Sequence, residues 1–440
     1  MGVGKFVRNE WEGLVASLRH AACSTLNVMR GIRDRSFYHF EMNAKAVLMA
    51  VVPLLVSAGT LVLVVAGLLA FDIKTAVALF GGLIACVLAL IFQINAEIKP
   101  SGDPKYGGLS RLKVPSGRVV TLGSHHFIVD DAANALLATA RNPLIRIDTD
   151  YSLPQAARGV TFAVAWKRVK YRDRNEPKIR LATNINVETL AGGLPIQVQK
   201  TWYFHGLMTN ELFGLTVSRR DALTPGRDRK IHHFDPDPLF FDGRELRSPA
   251  TSGASNHIGG STIAITKDGK IVFHRQSQFN QVESSKIAPS GSGSFDWADY
   301  EQHPSQTLQD LIVRGIEREL REELTVATGP GHSETVLTGF YRLLGRGGKL
   351  EFCAVTYLDQ YANGIRHNPA DCGYTREVEG PYDLETSDRW GQLSRIRQME
   401  AAMRARQDVS YAMKISLHLL IAHLERQTAT AAGPDGRTRQ

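Results

Sequence analysis

The sequence has little cysteine, a nearly balanced charge and two long stretches with no charge at all. Its four cysteines, Cys23, Cys86, Cys353 and Cys372, form no C-x-x-C pair among 440 residues, which excludes the usual paired-cysteine metal and redox motifs. The formal net charge is +8, from 52 basic and 44 acidic residues. This modest excess does not favour duplex nucleic acid as a partner.

The two uncharged stretches are residues 46–71 and 75–94. Both are long enough to cross a bilayer, which requires roughly 20 apolar residues in a helix. A three-residue turn joins them, so they predict a transmembrane hairpin. Basic residues lie on both flanks, which predicts a multi-pass protein of the cytoplasmic membrane with both termini in the cytoplasm. A buried helical hairpin in a soluble core is the alternative.

The rest of the chain divides by composition into four parts. Residues 1–45 place apolar side chains at helical spacing between basic ones, which predicts an amphipathic cytoplasmic segment on the membrane surface or against the cytoplasmic domain. Residues 101–230 contain several β-branched runs, among them 159–169, and predict a β-rich connector with one helix over 131–141. Residues 231–426 predict an α+β unit, and residues 427–440 a disordered polar tail.

Within the connector, residues 166–180 carry seven basic residues against two acidic ones. Alternation along a strand hairpin would place several of them on one face, where they would suit a phosphate-rich surface. A solvated hairpin edge protected by its charge is the alternative interpretation.

In the α+β unit, residues 256–277 contain two β-branched runs on either side of Lys267, Asp268 and Gly269. This pattern predicts a β-hairpin in which glycine supplies the positive φ of the turn. A helix is predicted around residues 312–326, and two more over 386–406 and 409–426.

The helix around residues 312–326 carries a carboxylate on its apolar side. Ile312, Val313, Ile316, Leu320 and Leu324 gather into one stripe at helical spacing, and Glu323 falls within it. Burying an unpaired charge costs several kcal/mol, so Glu323 requires a partner. A divalent metal, a base from a loop or a shifted protonation state would each satisfy it.

The residues of this helix resemble a known motif. "RELREELTV", from Arg318 to Val326, resembles the core of the Nudix box, R-E-U-x-E-E-x-G-U with U aliphatic. The resemblance implies an α/β/α sandwich in which Glu319, Glu322 and Glu323 hold Mg²⁺, Arg318 orients the site, and Glu323 serves catalysis if the protein is a hydrolase. The upstream half of the box is degenerate.

The departures from the box lie at three positions. Pro304 and Asp310 stand where the motif has glycine and glutamate, and Thr325 replaces its late glycine. These departures favour a ligand-binding Nudix-like domain over an active pyrophosphohydrolase.

Further ligand-binding candidates surround the box. Gly291 and Gly293 correspond to glycines that approach the helix in the Nudix family, and Trp297, with Phe295 and Tyr300, forms either a stacking platform for a base or an aromatic anchor. Arg275 and Lys286 are expected at the pocket edge, as phosphate contacts or as ordinary surface bases. The predicted ligand-binding residues are Arg275, Lys286, Gly291, Gly293, Trp297 and Arg318.

The order of segments resembles one subgroup of the family. The chain contains, in this order, the two uncharged stretches, a β-rich connector, the sequences "HHFDPDPLFFDGRE" and "SGSGSFDW", and an altered Nudix box. This order is similar to that of the SMODS-associated Nudix proteins of bacterial CBASS antiviral defence. The resemblance implies a bacterial inner-membrane effector whose Nudix-like domain binds a cyclic oligonucleotide second messenger. It further implies contact with inner-membrane lipids, a homo-oligomer on activation, and pore formation leading to abortive infection.

Two other functions fit the same residues. A membrane-anchored, Mg²⁺-dependent Nudix hydrolase of nucleoside diphosphate-linked substrates would explain the three retained glutamates. A scaffold whose Nudix-like fold only binds a partner protein would explain the degenerate box.

Overall fold

The computed structural model describes residues 96–100, 113–114, 116–168, 173–220, 231–277, 283–304, 306–368, 375–384 and 389–432, together with short stretches between residues 29 and 84. Most of the predicted amphipathic segment 1–45 lies outside the described residues. Of the predicted spans, residues 56–60, 62, 77, 80–82 and 84 are described.

The prediction of a transmembrane hairpin over residues 46–71 and 75–94 is corrected. Among the residues that the structure describes, no helix is long and apolar enough to cross a membrane. A span requires one continuous apolar helix of about 20 residues. The hairpin in the predicted fold class and the predicted multi-pass inner-membrane location are therefore not supported.

The regular elements are numbered here in chain order. The strands are β1 (Ala96–Pro100), β2 (Arg118–Leu122), β3 (His125–Val129), β4 (Leu144–Arg146), β5 (Pro177–Leu181), β6 (Ile196–Trp202), β7 (Leu215–Arg220), β8 (Ile231–Phe234), β9 (Phe241–Asp242), β10 (Glu245–Leu246), β11 (Gly259–Ile265), β12 (Lys270–Gln276), β13 (Ile287–Ala288), β14 (Gly291–Ser294), β15 (Ser333–Leu343), β16 (Lys349–Leu358) and β17 (Thr375–Asp383). The helices are α1 (Asp131–Leu137), α2 (Gln155–Arg158), α3 (Thr161–Arg168), α4 (Val187–Ala191), α5 (Tyr203–Leu207), α6 (Asp237–Phe240), α7 (Trp297–Glu301), α8 (Leu308–Glu323), α9 (Arg389–Arg404) and α10 (Tyr411–Ala432).

A nine-stranded mixed sheet forms the centre of the described chain. Its order is β13-β12-β11-β16-β15-β3-β2, with β14 paired to β11 and β17 paired to β12. β11 and β16 are parallel, and the other pairs are antiparallel. The predicted hairpin of residues 256–277 is confirmed as β11 and β12, whose turn has Gly269 at φ 69°.

β11 changes its partner along its length. Residues 259–262 pair with β14, whereas Ala264 and Ile265 pair with β12. The short strand β14 thus pairs with the first half of β11 and contacts α8, the helix that carries the glutamates.

Helices cover both faces of the sheet because successive residues of a strand point to opposite sides. On β16, Ala354 packs in the cluster that contains Leu308 and Ile312 of α8, whereas Val355 packs with Met413 and other residues of α10. The result is a sheet between helical layers. It matches the α/β/α arrangement that the Nudix resemblance implies.

The region predicted as a connector contributes to this core. β2 and β3 extend the large sheet through the pairing of β3 with β15. The separate three-stranded sheet β4-β6-β5 packs Ile179, Leu181 and Val198 into the same cluster as α8. The predicted boundary at residue 230 thus divides elements that share one hydrophobic core.

Some predicted elements were wrong. Within the apolar run 159–169, residues 161–168 form helix α3 instead of a strand, and Ala163, Val164 and Ala165 are buried against Phe204 and its neighbours. Short apolar runs without alternation do not distinguish a buried helix from a strand. At the C-terminus, α10 continues to Ala432, so the first residues of the predicted disordered tail are helical.

Candidate functional site

Helix α8 begins with a side-chain cap and buries one side. Thr307 accepts a hydrogen bond from the Asp310 N–H, and Asp310 accepts one from the Thr307 N–H, which forms a capping box. Asp310, the residue in place of the upstream glutamate of the Nudix box, therefore stabilises the helix terminus. Glu319 and Glu323 are each 8% exposed, so the prediction that Glu323 faces the interior is confirmed.

Two glycines of β14 allow the strand to approach α8 closely. A Cβ atom on Gly291 would lie 2.6 Å from the Leu320 Cα, and one on Gly293 would lie 2.0 Å from Glu319 Oε2. Both distances are far below van der Waals contact, so a larger residue at position 291 would push against the helix backbone and one at position 293 would displace the Glu319 carboxylate. The predicted approach of Gly291 and Gly293 to the helix is present, and their predicted role in ligand binding stays a prediction.

Glu323 meets the chain's own groups on its buried side. Its Oε2 accepts a hydrogen bond of 2.9 Å from the Ser292 N–H and lies 3.3 Å from Nδ1 of His274. Burial lowers the pKa of His274 to about 4, so this imidazole is neutral at pH 7. Neither group is the base from a loop that the sequence suggested, because Ser292 contributes a backbone amide of strand β14 and His274 a neutral imidazole of strand β12.

Arg318 joins the other carboxylates. Its Nε and Nη2 donate to the two oxygens of Asp299 at 3.0 Å. Its Nη1 donates to Glu322 at 3.1 Å, and it also lies 3.0 Å from Glu319 Oε1 and 3.5 Å from Asp296 Oδ2. The Nη1 atom of Arg318 thus lies within ion-pair distance of three carboxylates, those of Asp296, Glu319 and Glu322.

The carboxylate of Glu319 is crowded and poorly solvated. Burial raises its pKa to about 7, against the neighbouring positive charge of Arg318, and the negative charge of Glu322 adds to the increase. Lys178, from β5, lowers it, and Lys178 itself forms an ion pair with Asp296. Burial lowers the pKa of Lys178, but the carboxylates of Asp296, Glu176 and Glu319 outweigh this effect and raise it.

The aromatic residues next to the box lie in the core. Trp297 is 2% exposed, its ring centroid is 5.0 Å from that of Tyr300, and the guanidinium of Arg146 lies 5.3 Å from the Trp297 ring. Phe295 is fully buried in the same cluster. This geometry matches the aromatic anchor rather than the stacking platform, the two alternatives that the sequence left open.

Arg275 and Lys286 lie on the other side of the sheet from α8. His274 faces Glu323, so the next residue of β12, Arg275, points away from it. Arg275 donates to the Ser285 carbonyl at 3.2 Å and lies 3.7 Å from Asp408, next to α10. Lys286 pairs with Glu283 at 2.8 Å. The structure therefore does not bring these two bases together with Arg318, and their phosphate contacts stay a prediction.

The arrangement does not fit the Mg²⁺ ion that the resemblance implies. A Mg²⁺ ion in a protein site takes oxygen ligands that converge at about 2.0–2.1 Å. Here Glu319 and Glu322 converge on Arg318, while Glu323 turns to Ser292 and His274. Across the described part of the chain, no group of three or more His, Cys, Asp or Glu side chains is placed to hold a metal.

Several members of this cluster escaped sequence reasoning. His274, Asp296 and Asp299 were visible only as a strand histidine and as part of an acidic aromatic stretch, "SFDWADYE". Lys178 was counted in the basic stretch 166–180, whose predicted strand hairpin is absent because residues 161–168 are helical and Lys178 and Arg180 are buried. Only the fold brings Lys178 from β5 to α8.

No protein family model matches this chain, and no curated protein matches it. Among solved structures, the DR0079 protein of Deinococcus radiodurans is 15% identical, with 37% of this chain and 81% of that chain covered and a TM-score of 0.25. The MutT protein of Methanosarcina mazei is 13% identical, with 39% and 94% covered and a TM-score of 0.24.

A third solved structure, Tm1382, is described provisionally as a Nudix hydrolase. It is 13% identical, with 43% of this chain and 79% of that chain covered and a TM-score of 0.25. The structural neighbours of this chain thus include a MutT protein and a Nudix-type protein, and at these TM-scores the likeness carries no argument about activity.

Proposed function

We propose that this chain is a ligand-binding protein whose Nudix-like part binds a cyclic oligonucleotide without hydrolysing it, as the sensor of a CBASS-type antiviral system. One observation carries the loss of hydrolysis. The three glutamates of the box are committed to the chain's own groups, Glu319 and Glu322 to Arg318, and Glu323 to the Ser292 N–H. The resemblance in segment order supports the class of ligand.

The degenerate half of the box supports the same conclusion. Asp310 caps α8 through Thr307, which is a structural role at the helix terminus. A domain that retains the helix but uses its charged residues to hold loops in place keeps the fold while it loses the metal chemistry. A sensor requires only that its ligand bind one arrangement of the protein more tightly than another.

The test uses purified full-length protein with Mg²⁺ and a panel of cyclic oligonucleotides and diphosphate-linked nucleotides. Bound and released nucleotides are identified by mass spectrometry, and the assembly state is measured by light scattering with and without each nucleotide. We expect an intact cyclic oligonucleotide to be recovered with the protein and the assembly to grow when it binds.

Two outcomes contradict the proposal. Mg²⁺-dependent release of a nucleoside monophosphate, abolished by Glu323→Gln, would show the hydrolase instead. Absence of any nucleotide-induced change in Tm across the panel would favour the scaffold, because a ligand that binds only the folded state raises Tm.

A further inference from the structure

Lys178 approaches the charged residues of α8 from the separate three-stranded sheet β4-β6-β5. It lies on β5, and its backbone forms a bridge with Asp296. The next residue, Ile179, donates its N–H to the Phe295 carbonyl at 3.3 Å. These contacts hold β5 beside the start of α7 and deliver the ammonium group to the carboxylates around Arg318.

The ammonium group of Lys178 is buried and paired. Its side chain is 9% exposed and forms an ion pair with Asp296, whose other oxygen lies 3.5 Å from Arg318 Nη1. The charges of Lys178 and Glu319 also shift each other's pKa, since Glu319 raises that of Lys178 and Lys178 lowers that of Glu319. A buried lysine is stable only where carboxylates compensate the loss of water.

The charges of the cluster explain why a second cation is required. Asp296, Asp299, Glu319 and Glu322 surround the single guanidinium of Arg318. Like charges this close raise each other's free energy strongly in a partly dry site. In a metal-dependent site a divalent ion supplies the missing positive charge, and here Lys178 and Arg318 together carry the charge of one such ion.

We propose that the Lys178 ammonium group, together with Arg318, takes the place of a divalent cation at this site, and that removal of this ammonium group opens the carboxylates to Mn²⁺ or Mg²⁺. The wild-type cluster is then complete without metal. The inference deepens the proposed loss of hydrolysis, because it identifies the residue that makes the site independent of metal, and it does not depend on which nucleotide the protein binds.

The experiment measures Mn²⁺ binding and thermal stability of the full-length protein. Binding is followed by the electron paramagnetic resonance signal of free Mn²⁺, and Tm is measured with and without the ion. We expect Lys178→Met to bind Mn²⁺ at least about tenfold more tightly than wild type and to gain several degrees in Tm when the ion is added. The wild type should gain none.

Matched variants separate this role from a simple ion pair. Lys178→Arg keeps the charge and should behave as wild type, and Lys200→Met removes a lysine of the neighbouring strand β6 and should bind no additional Mn²⁺. Adding Glu319→Gln to Lys178→Met should abolish the gain, because one carboxylate of the opened site is then lost. Lys178→Gln, which keeps a hydrogen-bond donor for Asp296, should show the same gain as Lys178→Met.

Three outcomes overturn the inference. The inference requires wild type to bind Mn²⁺ more weakly than Lys178→Met, so equal affinities contradict it. A destabilised Lys178→Met that Mn²⁺ does not rescue would show a structural ion pair only. Failure of both Lys178→Met and Lys178→Gln to fold even with Mn²⁺ would show that the ion does not replace lysine. None of these results decides nucleotide binding, which is measured separately on the wild type.

Discussion

Two neighbouring glutamates of α8 have opposite environments. Glu323 is buried and accepts the Ser292 N–H, whereas the Glu322 side chain is 53% exposed and contacts Arg318 across one helical turn. Identical residue types, adjacent in one motif, therefore serve different purposes. Their exposure decides how much each contributes to the stability of the fold.

Glu323→Ala should destabilise the protein by about 1–3 kcal/mol, because the Ser292 N–H loses its side-chain acceptor at a buried carboxylate. Glu322→Ala, the matched control on the same helix, should change the free energy of unfolding by less than about 1 kcal/mol, as exposed ion pairs do. Urea unfolding of the full-length variants measures both. Equal losses for the two variants would contradict the assigned roles.

His274 makes stability depend on pH. Its folded pKa of about 4 lies below the ordinary value of 6.5, so the unfolded chain binds more protons between these values. The stability that the neutral imidazole contributes is present above pH 6.5 and is lost as the pH falls towards 4. Between pH 7 and 5.5 this one group should lower the free energy of unfolding by about 1 kcal/mol.

The variant His274→Gln isolates this effect from the other titrating groups. Its Tm should decline less than that of wild type between pH 7 and 5.5, whereas His303→Gln, at an exposed position, should follow wild type. Glu319 acts with the opposite sign, since its raised pKa removes stability as the pH increases towards 7. It is present in every variant and cancels from the comparison. Parallel curves for all three proteins would refute the role of His274.

At the scale of elements, the contact of β14 with α8 determines where the glutamates point. The strand lies so close to the helix that Gly291 meets the Leu320 backbone and Gly293 meets the Glu319 carboxylate. The same strand supplies the Ser292 N–H to Glu323. The short, glycine-containing strand β14 therefore contacts two carboxylates of the box, those of Glu319 and Glu323.

Gly291→Ala should destabilise the protein by about 1–3 kcal/mol or more, because its Cβ would meet helix backbone at 2.6 Å and backbone does not move aside easily. Gly345→Ala is the matched control, since a Cβ there has no heavy atom within 4 Å. It should change the free energy of unfolding by no more than about 0.5 kcal/mol. Thermal and urea unfolding measure both variants, and a harmless Gly291→Ala would argue against the close packing.

At the scale of the whole molecule, the predicted connector and the predicted Nudix-like unit share one sheet and one hydrophobic core. β3 pairs with β15, and Phe127 packs against Tyr341 with ring centroids 5.4 Å apart. Glu211 of the connector forms an ion pair with Arg346, and both side chains are 13% exposed. Removing one member of a buried pair leaves an uncompensated charge, which costs several kcal/mol.

A fragment of residues 231–440 should therefore fail to fold, although the sequence places a domain boundary there. It lacks β2, β3, Lys178 and Glu211, so it exposes apolar surface and leaves Arg346 without one of its carboxylates. A fragment of residues 96–440 keeps all of them and should melt cooperatively. Circular dichroism melting of the two fragments is the measurement, and a cooperative transition of 231–440 at the Tm of the longer fragment would restore the predicted boundary.

The sequence by itself determined the local features. Helical spacing located α8 and the buried position of Glu323, and the Lys267–Gly269 turn located the β11–β12 hairpin, because both patterns depend on residues close along the chain. Hydropathy alone predicted membrane spans that no described helix supports.

The tertiary structure alone decided the chemistry of the site. Arg318 lies on α8, Asp296 at the start of α7, and Lys178 on a strand of another sheet. These residues are far apart along the chain, and no sequence motif encodes their contact. Electrostatic interactions depend on distance in space and on burial. The same three glutamates that the sequence suits to a metal are therefore held by a guanidinium, a backbone amide and a neutral imidazole, because the fold places those groups nearest to them.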